Sequence, residues 1–300
     1  SACTSDDGEY VRVQESVSSI ARVAAFEDIA DLLWRNDATP DGDDFFDARA
    51  IYAVGEGLDS RVQRREDEHY PPVMSGNDVL SCGDEGVPAM DPDRCVGPAQ
   101  ILPILNEAFQ GGIAGEDPEV NSARIEAALL WFFYVSSYKE GTTCASVAKD
   151  CDSSWAYYNG GFQLDGAIGL AGYVRELDPV AHENAFNAVL GLRCWRELDT
   201  AEPASDTILQ GYALDQLDRA LLNGVARIVA DRLAQMTNHS GVDRDADWAF
   251  LQILGPVLDR EAADRDSAAA ARLSTAWALD ADDVDVRAVI DDLAEVFPCP

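Results

Sequence analysis

The chain predicts an all-α fold, a multi-helix bundle with long disulfide-pinned loops. Three observations carry this: apolar residues recur at helical spacing through most of the 300 residues, period-two runs rich in Val, Ile and Thr are nearly absent, and most periodic segments open on Asp or Pro. Asp accepts the exposed N–H groups of a first turn and Pro has none to leave unpaired, so both mark helix starts.

In order along the chain, residues 1–9 read as a flexible N-terminal tether. Ser-Ala-Cys within it looks like the end of a bacterial lipoprotein cleavage signal, which makes Cys3 the lipidation candidate. From Val13 to Trp34 a repeating face carries Val17, Ile20, Val23, Phe26, Ile29, Leu33 and Trp34, with Glu27, Asp28 and Asp31 beside it. Asp43 or Asp44 is placed to cap a second helix that runs through Ala50 and Val54 and stops near Gly55 and Gly57. The Gly-, Pro- and Asp-rich stretch Gly76–Pro98 reads as loop. Further helices are predicted over Ala99–Phe109, Pro118–Lys139, Asp165–Leu177, Pro179–Glu197, Asp206–Met236, Asp245–Leu258, Ala262–Ala278 and Val284–Phe297. Residues 10–300 read as one helical domain, and 140–152 is where it would divide into two packed halves. No repeat of fixed length is present.

Net charge is −33, with two lysines, Lys139 and Lys149, against 55 acidic residues. Such a surface repels polyanions, so nucleic acid is excluded as a partner. No run approaches the ~20 apolar residues of a membrane span, so a lipid anchor is the membrane attachment the sequence suggests. Apart from Cys3, the six cysteines show no CxxC or Cys/His zinc spacing, and an even six reads as three disulfides in an oxidising, extracytoplasmic compartment. The local pairings are Cys82 with Cys95 and Cys144 with Cys151, leaving Cys194 with Cys299, although six cysteines permit fifteen arrangements.

The chemistry on offer is that of hard oxygen ligands. The stretch Cys151–Gly161, CDSSWAYYNGG, sets Trp155, Tyr157 and Tyr158 behind a cysteine and an acid. A phenolate is a hard donor suited to ferric iron, whereas the structural alternative makes the three rings core wall residues, closed by Gly160 and Gly161 as a C-cap. Glu27 and Asp31, four apart, point the same way on a helix and could share a cation. The segment Arg61–Tyr70 holds Arg64, Arg65, Asp67 and His69, so an arginine fork there could hold a small oxyanion while an acid, His69 or a tyrosine reaches a metal. Asp243, Asp245 and Asp247 imitate the start of a calcium loop, but Trp248 stands where its glycine belongs and Leu254 where its glutamate belongs. No GxSxG, HExxH, dinucleotide fingerprint or duplicated Glu-x-x-His pattern is present, so no enzyme is expected.

Several landmarks occur together: IYAVGEGLDS (Ile51–Ser60), the Arg-rich turn, SSWAYYNGG (Ser153–Gly161), LRCWRELD (Leu192–Asp199) and DADWAFLQILGPVL (Asp245–Leu258). In that order they resemble the secreted iron-assimilation, or high-CO2-inducible periplasmic, proteins of green algae, which are similar to a domain of the diatom phytotransferrins. Tyr52, Trp155, Tyr157, Tyr158, Cys194, Trp248 and Pro256 fall on the shared motifs. The family's acid pair before the tryptophan is only partly kept, since Asp152 is followed by Ser153 and Ser154. The resemblance implies an extracytoplasmic helical protein that captures ferric iron with carbonate as a synergistic anion, releases it as pH falls, and hands it to a cell-envelope partner. The expected metal set is Glu27, Asp31, Asp67, His69, Tyr157 and Tyr158, with Arg64 or Arg65 for the anion. The alternative expectation is a metal-free structural or interaction lipoprotein of the envelope.

Overall fold

The computed structural model describes residues 8–36, 38–54 and 57–298, and within them the fold is all-α. The helices are α1 (Ser19–Leu33), α2 (Gly42–Val54), α3 (Leu58–Val62), α4 (Leu102–Ile113), α5 (Pro118–Thr143), α6 (Asp150–Asn159), α7 (Leu170–Leu177), α8 (Pro179–Leu198), α9 (Thr207–Met236), α10 (Val242–Leu254), α11 (Asp259–Arg265), α12 (Ser267–Trp277) and α13 (Val286–Val296). The long helix α5 is apolar on nearly every side between Ile125 and Val135, and it is buried accordingly, with α4, α6, α9 and α10 packed around it. One cluster of buried side chains runs from Tyr10 to Phe297.

Asp does the work of starting helices. Asp178 accepts from the N–H groups of Val180 and Ala181, Asp206 from Leu209, Asp266 from Ala268 and Ala269, and Asp285 from Ala288. Each such cap stabilises its helix by about 1 kcal/mol. Three aspartates also correct the expected boundaries. Asp266 splits the segment read as Ala262–Ala278 into α11 and α12. Asp41, not Asp43 or Asp44, accepts the first N–H groups of α2, leaving those two as acids of the first turn. Asp152 changes the N-terminal segment most: buried between the elements, its carboxylate accepts from Val13 N and Gln14 N and from the Tyr10 hydroxyl. With those N–H groups satisfied by Asp152, residues 10–17 run as a non-helical strap, and α1 starts only at Ser19. Tyr10 stacks flat on Trp155, with centroids 4.6 Å apart.

The other shifts have local causes. Gly166 and Gly169 delay α7 to Leu170, with a 3-10 turn at Leu164–Gly166 before it, and Gly169 adopts φ +61°. Gly255 and Pro256 end α10 in a 3-10 turn. The expected loop Gly76–Pro98 is entered by a two-residue hairpin, β1 (Met74–Ser75) with β2 (Asp78–Val79), and left through a π-helical turn at Gly97–Ile101. Cys82–Cys95 and Cys144–Cys151 are the disulfides of this region and of the α5–α6 junction. Cys194 is also disulfide-bonded, while its expected partner Cys299, like Cys3 and residues 1–7 of the tether, lies outside the described residues.

Candidate functional site

The loop pinned by Cys82–Cys95 positions a segment of α3's C-terminal extension. Arg94, next to the disulfide and 5% exposed, is the centre of this arrangement. Its guanidinium donates to the carbonyls of Asp67 (3.1 Å) and Tyr70 (2.9 Å) and to the carboxylates of Glu66 (2.6 Å) and Glu68 (2.9 and 3.0 Å). The chain from Glu66 to Tyr70 is therefore wrapped around one cation. Gly97 permits this close approach, since a Cβ there would meet Val62 O at 2.1 Å and Arg65 Cβ at 2.7 Å.

So held, Asp67, His69 and Tyr70 face α5, α9 and the start of α11. His69 Nδ1 lies 2.6 Å from Asp67 Oδ1, and Nε2 lies 3.1 Å from Asp218 Oδ1, off the hydrogen-bonding line. The ring stacks on Tyr138 at 3.8 Å. Burial opposes charge on His69, but the carboxylates of Asp218 and Asp67 outweigh it and raise its pKa. Asp218 in turn accepts from Tyr134 Oη (2.7 Å) and Arg260 Nη2 (2.6 Å); burial pushes its pKa up, yet His69 and Arg260 hold it below the usual carboxylate value.

Among the described residues the hydrogen bonds of Arg260 run through Nη2, which also lies 3.4 Å from Tyr134 Oη. Its side chain lines a cleft of 450 Å³ together with Asp67, Tyr70, Asp93, Gln100, Tyr134 and Asp259. Tyr70 lies within electrostatic reach of Asp93, Asp67 and Arg260; burial first, then the two acids, raise its pKa, so the phenol keeps its proton. Burial likewise pushes the Asp259 carboxyl up to about 6. The cleft thus offers hard oxygens and one anchored guanidinium side by side.

The expected metal residues fall in four places. Asp67 lines this cleft and His69 pairs with it from behind, with both ring nitrogens turned to the carboxylates of Asp67 and Asp218 and not to the cleft. Glu27 and Asp31 do share a cation, and it is Arg35: Glu27 pairs with its guanidinium, Asp31 lies 3.7 Å from it, and the second Glu27 oxygen accepts from Gly169 N. Tyr158 donates to His182 Nδ1 at 3.0 Å while His182 Nε2 donates to Leu164 O at 2.8 Å, so its hydroxyl is committed inside the core and burial raises its pKa. Tyr157 accepts from Arg22 (3.2 Å) and Arg65 (3.4 Å). Arg64 is exposed, and Arg65 is buried against Glu140 and Tyr157. Gly160, in the left-handed conformation, closes α6 as its C-cap, and Trp155, Tyr157 and Tyr158 are wall residues of the core.

Sequence reasoning did not single out Asp218, Tyr134, Arg260, Asp93, Asp259 or Arg94. Asp218 carried a usable signal, since an acid between Leu217, Leu221 and Leu222 stands where the helical period demands core. Among the described residues, no three His, Cys, Asp or Glu side chains converge tightly enough to hold a metal ion by themselves. No helix among them is long and apolar enough to cross a membrane. Comparison with protein-family models, with curated proteins and with solved structures gives no match to this chain.

Proposed function

We propose that the chain is an extracytoplasmic binding protein, without turnover, that captures ferric iron together with a small oxyanion, carbonate first, in the cleft around Asp67, Tyr70, Asp93 and Arg260. The observation that carries this reading is the anchoring of Arg260: Nη2 is fixed by Asp218 and Tyr134, and the side chain lines the same cleft as Asp67, Asp93 and Tyr70. A guanidinium in that position suits a bidentate oxyanion. Carboxylate and phenolate are the hard donors a ferric ion takes.

The donor set also explains why an anion is needed. The acids alone do not converge on an ion, so a bound cation would rest on Asp67, Asp93 and the Tyr70 phenol, with the remaining positions supplied by an anion on Arg260. Ferric iron, when bound, supplies the positive charge that displaces the Tyr70 proton. His69 stands behind this set and fixes Asp67 from the inner side through the 2.6 Å Nδ1–Oδ1 contact. The disulfides Cys82–Cys95 and Cys144–Cys151 support an oxidising compartment. The resemblance to algal iron-assimilation proteins points the same way. The second reading is a metal-free structural protein of the cell envelope, for which His, Cys, Asp and Glu side chains that do not converge in threes among the described residues are sufficient.

Visible absorbance separates the two. A phenolate-to-iron band that appears in the wild type and in Tyr158→Phe, and is lost in Tyr70→Phe, supports the cleft; a band lost in Tyr158→Phe moves the site to α6. Absence of any retained iron supports the structural reading.

A further inference from the structure

A second cluster, between α1, α3, α5 and α6, has too many cations for its acceptors. Arg22 and Arg65 are each 4% exposed, in a chain whose net charge is −33. Arg22 Nη1 donates to Ser19 Oγ (3.3 Å) and Tyr157 Oη (3.2 Å), and Arg65 donates to Glu140 Oε1 (3.0 Å) and the same Tyr157 oxygen (3.4 Å). Lys139 shares Glu140 Oε1 at 3.4 Å. Arg65 and Lys139 therefore share one carboxylate, with Asp150 in electrostatic reach of Lys139, while Arg22 has no acid among its hydrogen-bond partners in the described residues. Nε of Arg22 and Nε of Arg65 are buried without a partner, and the Tyr157 hydroxyl, already accepting twice, finds no acceptor for its own proton among the described residues.

Buried donors are ordinarily satisfied and buried charges ordinarily matched, because an unmatched charge in low dielectric is costly. Here the mismatch has one sign. Exposed Arg64 adds to it: its pKa is pushed down first by Arg61, then by burial and by Arg65 and Arg22, the mark of crowded like charge. The stacking of Arg65 over the Phe132 and Tyr157 rings, 5.4 Å from each centroid, fixes the guanidinium plane without neutralising it.

We propose that Arg22, Arg65 and the Tyr157 hydroxyl, with Arg64 and Lys139 at the outer edge, form a metal-independent site for a doubly charged tetrahedral oxyanion of the phosphate or sulfate class. The buried positive charge of Arg22 and Arg65, met among their hydrogen-bond partners only by the Glu140 carboxylate, suits such an ion, and the three unmatched N–H and O–H groups are donors it can use. The two Nε atoms are closed off from solvent, so an ion reaches them only when neighbouring side chains move. This site shares no residue with the cleft lined by Asp67 and Arg260.

The test is thermal unfolding of the chelator-treated, bicarbonate-free chain in millimolar sodium phosphate, sodium sulfate or sodium chloride at equal ionic strength. The expected result is a rise in Tm that saturates with phosphate or sulfate and is absent with chloride. A response to phosphate alone, or to both, distinguishes the two ions. Arg22→Gln should weaken the apparent affinity about tenfold or more, and Arg64→Gln and Tyr157→Phe about threefold each. Arg260→Gln should respond as the wild type, which separates this site from the anion position of the iron cleft. Equal effects of chloride, a response that vanishes in Arg260→Gln, or wild-type titrations in both Arg64→Gln and Tyr157→Phe would overturn the proposal, the last even where Arg22→Gln fails to fold.

Discussion

His69→Gln is the substitution that most directly probes how the cleft is held. The imidazole is 6% exposed, sits between Asp67 at 2.6 Å and Asp218 at 3.1 Å, and stacks on Tyr138 at 3.8 Å. Removing one member of a buried charge group costs about 3–5 kcal/mol. Asp218 keeps Arg260 and Tyr134 as donors, and Asp67 keeps the backbone N–H of residue 69; the loss therefore falls at the low end, about 3 kcal/mol. The pH dependence has a fixed sign. Because the folded pKa of His69 is raised by its two carboxylates against the pull of burial, its stabilisation is complete below the unfolded value of about 6.5 and is lost as pH rises through the folded value. Urea unfolding of both proteins at pH 6 and at pH 9 is the assay: the gap between wild type and variant should be near 3 kcal/mol at pH 6 and smaller at pH 9. A gap under about 1 kcal/mol, the range of exposed pairs, or one that widens at pH 9, would refute the reasoning.

Three further outcomes are expected. Replacing Cys82 and Cys95 by serine opens a loop of sequence separation 13 and should lower stability by about 3 kcal/mol, with amide exchange of Asp67–Tyr70 accelerating before that of α5; uniform acceleration would show that the disulfide does not act through Arg94. Gly160→Ala must adopt φ +68° and place its Cβ 2.1 Å from Ile168, so a loss of about 2–4 kcal/mol in thermal or urea unfolding is expected. Asp259→Asn should stabilise the protein at pH 8 and have little effect at pH 4, because burial raises the folded pKa to about 6: the folded state holds the proton more tightly than the unfolded one, and the carboxylate becomes a liability as pH rises from about 4 to 6. Stability curves of the two proteins that stay parallel across that range would contradict this.

Helices were legible where the signal was local. Asp178, Asp206 and Asp266 cap by bonds that span two or three residues, so their positions in the sequence are sufficient to place them or, for Asp266, would have been had the break between α11 and α12 been read from it. The strap at residues 10–17 was not legible, because its N–H groups are satisfied by Asp152, 139 residues away. The same distinction governs the cleft. Asp67 and His69 stand two apart in sequence and were singled out together, with Tyr70 only the end of the same segment, whereas Asp218 and Arg260 come from α9 and α11, and Asp218 meets both His69 and Arg260 through the packing of those helices. Tyr157 and Tyr158 attracted attention as adjacent phenols, yet a helix turns neighbours about 100° apart, and their hydroxyls end on different partners, Arg22 and Arg65 for one and His182 for the other. Adjacency in sequence was read as proximity of function, and helical geometry separates the two.

The central claim is tested most directly by titrating the chelator-stripped protein with ferric iron, with and without bicarbonate, and measuring visible absorbance and retained metal after desalting. The account predicts one equivalent of coloured, bicarbonate-dependent iron that is lost in Arg260→Gln and loses its colour in Tyr70→Phe. Iron that fails to remain bound in both conditions, or that binds unchanged in Arg260→Gln, would contradict it.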